Sequence, residues 1–178
     1  MSQSQNRSNL MIQRVLPLLM ISLFARVAGA EDASRERWTS ISPVETEFVY
    51  EAHVTIGEVV EVGETASGIR RYIPITGGRF EGPRLKGTVL PGGADWQTER
   101  SDGATQLDAL YSMRCDDGTV IIVRNRGILS QGGTYLMTTP TFVVPEGPHA
   151  WLDDFLHVGT VSGSDEPNTV VIRVFRAL

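Results

Sequence analysis

Cysteine and lysine are nearly absent from this chain. Its 178 residues hold one cysteine, Cys115, and one lysine, Lys86; the other basic residues are arginines. A single thiol cannot close an intramolecular disulfide, so the core alone must stabilise the fold. Cys115 stands between Arg114 and Asp116 with no histidine beside it in sequence. A small buried thiol is the expected role, and a nucleophile is the alternative set aside. Histidine is scarce too, with three residues. His53, His149 and His157 fall on three separate segments without metal-ligand spacing, so no metal is expected. There is no phosphate-binding glycine loop, no dinucleotide-binding glycine pattern after a strand and no G-x-S-x-G elbow. No cofactor is called for. Basic and aromatic runs are missing too, which excludes the usual nucleic-acid surfaces and attraction to an anionic membrane. No heptad, internal repeat or long helical period occurs, and nothing sets an oligomeric state.

Residues 1–30 differ in kind from the rest. Arg7 and Arg14 precede the apolar run Val15–Phe24, and Ala28-Gly29-Ala30 offers small residues for cleavage. That order predicts a secretory signal peptide and an exported, periplasmic or extracellular, protein. The apolar run is too short for a permanent span, so no stable membrane insertion is expected. An uncleaved amphipathic leader is the alternative, and a start at Met11 would give a leader of more ordinary length. Removing residues 1–30 takes away three of the 16 basic residues and no acid. Thirteen basic residues then face 21 acidic ones, a net charge near −8. Residues 31–44 are polar, carry no clear period and read as a linker.

What remains, residues 45–178, alternates. Phe48, Tyr50, Ala52, Val54 and Ile56 share one face of a strand, with Glu47, Glu51 and His53 on the other. Residues 70–96 then pass through a series of corners. Pro74 interrupts Tyr72, Ile73 and Ile75 and marks an edge or bulge. Gly77-Gly78, Glu81-Gly82-Pro83 and Pro91-Gly92-Gly93 turn or bend the chain. Between the last two corners, Leu85, Gly87 and Val89 alternate with Arg84, Lys86 and Thr88. Downstream, Ser101-Asp102-Gly103 and Asp116-Asp117-Gly118 each separate two alternating runs, a hairpin signal. Gly127–Gly133 reads as a loop and Thr134–Val144 as a strand broken by Pro140. Ala150–Phe155 reads as one helical turn, before strands over 156–161 and 169–175. Eight to ten short strands with turns between them predict an all-β sandwich or barrel.

The run Ile75-Thr76-Gly77-Gly78 through Phe80-Glu81-Gly82-Pro83, Leu85, Gly87, Val89-Leu90-Pro91-Gly92-Gly93-Ala94-Asp95-Trp96 resembles the domain-of-unknown-function family 3237. The resemblance continues through Asp102-Gly103, Asp116-Asp117-Gly118, Val123–Gly127 and Ala150-Trp151-Leu152. It covers roughly residues 45–176. What it implies is a single closed or nearly closed antiparallel β-barrel with at most one short helix; the family's name carries no activity.

Register gives a candidate site. With three-residue loops at both Asp-Gly turns, Asp95 faces Ala109, Gln97 faces Leu107, Tyr111 faces Val123 and Ala109 faces Asn125. Asp95, Gln97, Leu107, Ala109, Tyr111, Met113, Val123 and Asn125 then share the mostly apolar, inward face. Trp96, Asp108, Arg124 and Arg126 share the opposite one, with Asp108 across from Arg126 as an ion pair. An apolar interior with a few polar groups is the default ligand site. Asp95 is the candidate acid or base, with Tyr111 and Asn125 as donors to a developing oxyanion. Gln97, Trp96, Arg124 and Arg126 are candidate ligand contacts. A satisfied polar cluster that fixes the register competes with this reading, as packing does for Trp96 and a solvated ion-pair face for the two arginines. The expected function is small-molecule binding inside the barrel. The alternatives are a cofactor-independent isomerase, lyase or cyclase acting on a small oxygenated or aromatic compound, and a filled barrel with a structural or interaction role.

Overall fold

The computed structural model describes residues 43–178. The expected leader and all but the end of the expected linker lie outside the described residues. Ten antiparallel strands follow one another: β1 (Thr46–Ile56), β2 (Val60–Thr65), β3 (Gly68–Glu81), β4 (Lys86–Val89), β5 (Gly93–Glu99), β6 (Thr105–Cys115), β7 (Val120–Ser130), β8 (Tyr135–Val143), β9 (His157–Gly163) and β10 (Thr169–Ala177). The order β1-β10-β9-β8-β7-β6-β4-β3 closes through a β1–β3 pairing, so the sheet is an eight-stranded barrel. Closure leaves no free edge around the ring. The two further strands, β2 and β5, extend it at one end, where both pair with β3.

The corners of residues 70–96 explain the layout. β3 pairs β1 through Ile75–Glu81 and β2 through Gly68–Tyr72. Pro74 sits where one partner gives way to the other, beside the shift in register between Thr55 and Ile56. A residue with no N–H is tolerated there because no ladder bond is lost on that side. On its other edge β3 pairs β4 and then β5, and Leu90–Gly92 steps between them. Gly78 lies where β1 crosses β3, with φ of +142°, and a Cβ there would collide with the His53 carbonyl oxygen. The glycine is needed for this close approach.

Two local expectations are corrected. β7 does not end in a loop at Gly127 but continues to Ser130, because Gly127–Ser130 pair with β8. β8 is not broken at Pro140, which pairs with Asn125 inside a continuous strand. The cost appears on the other edge: β8 and β9 register only at Met137–Thr160 and Thr138–Gly159. Both Asp-Gly hairpins have the expected register, and Cys115 N–H donates to the Thr119 carbonyl at 2.9 Å.

The interior is half filled. Tyr50, Phe80, Met113, Ile121, Val123, Phe142 and Val174 pack one half. Tyr50 meets Phe80 and Phe142 edge-on, with centroids 5.9 and 6.2 Å apart, the arrangement ring quadrupoles favour. The chain between β8 and β9 plugs that end: its 3-10 turn, Ala150–Asp153, drives Leu152 into complete burial. The filled-barrel alternative therefore describes this half alone.

Candidate functional site

The other half holds a cavity of about 200 Å³. β1, β3, β9 and β10 supply aliphatic walls through Val54, Ile56, Ile73, Ile75, Val161, Val170 and Ile172. β5–β8 supply the polar groups: Asp95, Gln97, Tyr111, Asn125 and Thr138, set among Leu107, Ala109, Leu129 and Leu136. Ile56, Ile73, Leu107, Leu129, Leu136 and Val161 are only partly buried, so the cavity reaches solvent at the end opposite the plug. Period-two alternation aims these side chains inward on every strand.

Asp95 is fixed by a chain of donors. Arg71 Nε donates to Gln97 Oε1 at 2.8 Å, and Gln97 Nε2 donates to Asp95 Oδ2 at 2.7 Å. The guanidinium therefore dictates which end of the Gln97 amide faces the carboxylate. Asp108 N–H donates to Asp95 Oδ1 at 3.2 Å. Asp95 keeps some accessible surface, toward the cavity, yet protein surrounds most of it. Burial raises its pKa above the usual carboxylate value, more than the bonds from Gln97 and Asp108 lower it.

Two other polar atoms in the cavity wall, Asn125 Oδ1 and Thr138 Oγ1, are buried and without a hydrogen-bond partner, and the buried Tyr111 hydroxyl has only the equally buried Tyr50 hydroxyl near it. Buried polar atoms are nearly always paired, so two orphans in one largely apolar wall require a reason. Burial pushes the Tyr111 phenol up to about 12, so it stays a neutral donor. Tyr50 lies behind it, its own phenol raised well above the ordinary value by burial. Asp95 and Asn125 flank Ala109 on neighbouring strands. Two strand spacings separate them, roughly 10 Å, and only a methyl group rises between.

The structure thus brings Asp95, Gln97, Tyr111 and Asn125 to one cavity as the register requires. Trp96, Arg124 and Arg126 do not join them. Trp96 is 44% exposed on the outer face and stacks on Tyr72, centroids 4.5 Å apart. Arg124 donates from Nε and Nη2 to the two Asp108 carboxylate oxygens at 2.8 and 2.7 Å, and this holds the carboxyl below its usual range. Asp108 does stand opposite Arg126, but that guanidinium stays 3.7 Å away while the diagonal neighbour takes the bond. None of the three can reach a ligand inside the barrel.

Sequence reasoning missed Thr138 and Arg71. Thr138 sits in β8, whose alternation with Phe142 and Pro140 was available; Arg71 acts through Gln97, which no spacing announces. Cys115 is 4% exposed, and burial together with Asp117 and Asp116 pushes its thiol up to about 11. That environment does not suit a nucleophile.

The family model described as "Protein of unknown function (DUF3237)" matches residues 44–177. Among curated relatives, the UPF0311 protein RPA1785 of Rhodopseudomonas palustris is 36% identical over 151 residues, covering 76% of this chain and 97% of that one. Its crystal structure, of a conserved protein of unknown function, superposes with a TM-score of 0.71 at 34% identity, covering 78% of this chain and all of the other. The chain is also similar to the hydroalkoxylation enzyme phnH of Penicillium herquei, 27% identical over 127 residues, or 71% of this chain and 80% of that one. The crystal structure of an enzyme from Penicillium herquei matches with a TM-score of 0.65 at 25% identity, over 78% of this chain and 97% of the other.

Proposed function

The chain belongs to the DUF3237 family, and from that premise we propose that its half-hollow barrel binds a small oxygenated compound beside Asp95, after export of the mature chain. The observation that carries this reading is a pair of orphaned polar atoms, Asn125 Oδ1 and Thr138 Oγ1, beside the Tyr111 hydroxyl in a largely aliphatic wall. A cavity of about 150 Å³ suffices for benzene. The 200 Å³ found here fits one ring with a few substituents. Aliphatic walls favour the ring, and the orphaned atoms favour hydroxyl or carbonyl groups on it. A substituted phenol has both features.

A second reading is acid–base catalysis on such a compound, and the raised pKa of Asp95 favours it. Hydroalkoxylation, the activity in the name of one relative, adds an alcohol O–H across a carbon–carbon double bond. The oxygen gives its proton to the carboxylate and bonds to one carbon; the carboxyl returns a proton to the other carbon. Asp95 is regenerated and no electron carrier is needed. When both groups belong to one molecule, the outcome is ring closure. Tyr111, a neutral donor, would stabilise charge developing on a ring oxygen.

Titration of the isotopically labelled protein with monocyclic phenols, followed by amide chemical shifts, tests the binding reading. Perturbations should centre on β5–β8 around Ala109 and disappear in Asn125→Leu. Shifts confined to the outer face near Trp96 would overturn it. Intact-mass analysis of the exported chain, expected to start at Glu31, tests the leader.

A further inference from the structure

We propose that Cys115, Asp117 and His149 form a binding site for a thiophilic divalent cation, Zn²⁺ by its ligand set, at the plugged end of the barrel. It is independent of the cavity: its residues line none of it, and the filled half of the core lies between.

The fold brings together what the sequence keeps apart. Cys115 ends β6 facing inward, and Asp117 follows two residues later in the tight turn to β7. His149 comes from the plug, just before the 3-10 turn that Leu152 anchors. One ring nitrogen of His149, Cys115 Sγ and a carboxylate oxygen of Asp117 all lie within 4.8 Å of one another. His149 Nε2 and Asp117 Oδ2 are already 3.0 Å apart. His149 is 7% exposed, and its Nδ1 is buried without a partner. That imidazole has more bonding capacity than the protein satisfies.

The donor set is specific. Sulfur, imidazole nitrogen and carboxylate oxygen together suit zinc and cobalt and do not suit magnesium or calcium, which take oxygen alone. Three protein ligands leave a fourth position of a tetrahedron free. The three ligands border a recess on the surface whose other walls are Gly82, Pro83, Arg84, Leu85, Lys86 and Asp116. Metal bonds of about 2.0–2.3 Å need the ligand atoms closer together than 4.8 Å. Of the three, Asp117 alone is exposed, so the shortening falls to its Oδ2 while Oδ1 stays on Thr119 N–H. Lys86 does not neutralise it, since its ammonium is 3.6 Å from Asp116. Among the described residues, the side chain paired with the Asp117 carboxylate is His149 itself. A bound ion would tie the plug to the β6–β7 turn, so its effect belongs to the stability of that end.

The test is cobalt titration of the chelator-treated, desalted protein. One equivalent of Co²⁺ should give a thiolate-to-cobalt charge-transfer band in the near ultraviolet and the intense visible bands of a tetrahedral site. Zn²⁺ should displace it and raise the melting temperature. Cys115→Ser should abolish the charge-transfer band. Asp117→Asn keeps the oxygen that accepts from Thr119 N–H at 2.9 Å, and so keeps the turn. It should weaken cobalt affinity at least tenfold while the metal-free protein still unfolds in one cooperative transition. Should Cys115→Ser fail to fold, Asp117→Asn and His149→Gln decide the matter. Absence of the band, or saturation unchanged in Asp117→Asn, overturns the proposal.

Discussion

Ala109 stands between the cavity's two polar flanks, Asp95 and Asn125, and filling the space above it separates a ligand site from a packing accident. Ala109→Leu adds three carbons between Asp95 and Asn125. The cavity of 200 Å³ has room for them without displacing its walls. Each buried methylene contributes about 0.8 kcal/mol, so the gross gain is at most about 2.4 kcal/mol. Ordering the leucine costs roughly 0.5–1 kcal/mol. The variant should therefore be about 1–2 kcal/mol more stable than wild type, with an unchanged denaturant slope. The same three carbons occupy the space of a ligand ring, so affinity for monocyclic phenols should fall by at least tenfold. Urea unfolding and chemical-shift titration read the two quantities. Were the interior collapsed in solution, the added carbons would overpack it and destabilise by about 1–3 kcal/mol. A destabilised variant, or a stable one that binds phenols as wild type does, would refute the reasoning.

Asp95→Asn should reduce binding or turnover, and relative to it the wild type should lose stability as pH rises. The folded-state pKa of Asp95 lies above its ordinary value, so the folded protein holds this proton more tightly; the loss begins near pH 4 and levels off above the folded pKa. Paired urea titrations across pH check the sign, and a wild type that gains stability relative to the variant as pH rises would contradict it. Gln97→Leu removes the largest stabiliser of the Asp95 anion, so the carboxyl carbon resonance should titrate at higher pH than in wild type. Arg124→Met breaks an exposed pair on the outer face and should leave phenol affinity unchanged; a marked loss would move the site outward. Gly78→Ala should cost at least the roughly 1–3 kcal/mol of an overpacked site, read as a drop in unfolding midpoint, because the His53 carbonyl cannot withdraw from the β1–β3 crossing.

The alternation of apolar residues, two Asp-Gly turns and the corners of residues 70–96 determined the all-β class, the register of β5–β7 and the inward face that carries Asp95, Gln97, Tyr111 and Asn125. Those are short-range properties: a strand repeats every two residues, and a tight hairpin transmits register without ambiguity. The tertiary structure alone decided what lay between distant segments. Closure through β1–β3 joins residues far apart in the chain, and nothing local reports it. The strength of the Asp108 pair also went to Arg124 and not to Arg126 across the ladder, because twist and the reach of a long side chain can favour a diagonal neighbour over the one directly opposite. Whether the barrel is hollow depends on how far Leu152 and its turn push inward from a segment beyond β8. The same segment carries His149 to Cys115 and Asp117, a meeting that sequence spacing hides. Volume and convergence are sums over every strand at once, so they exist only when the whole chain is folded.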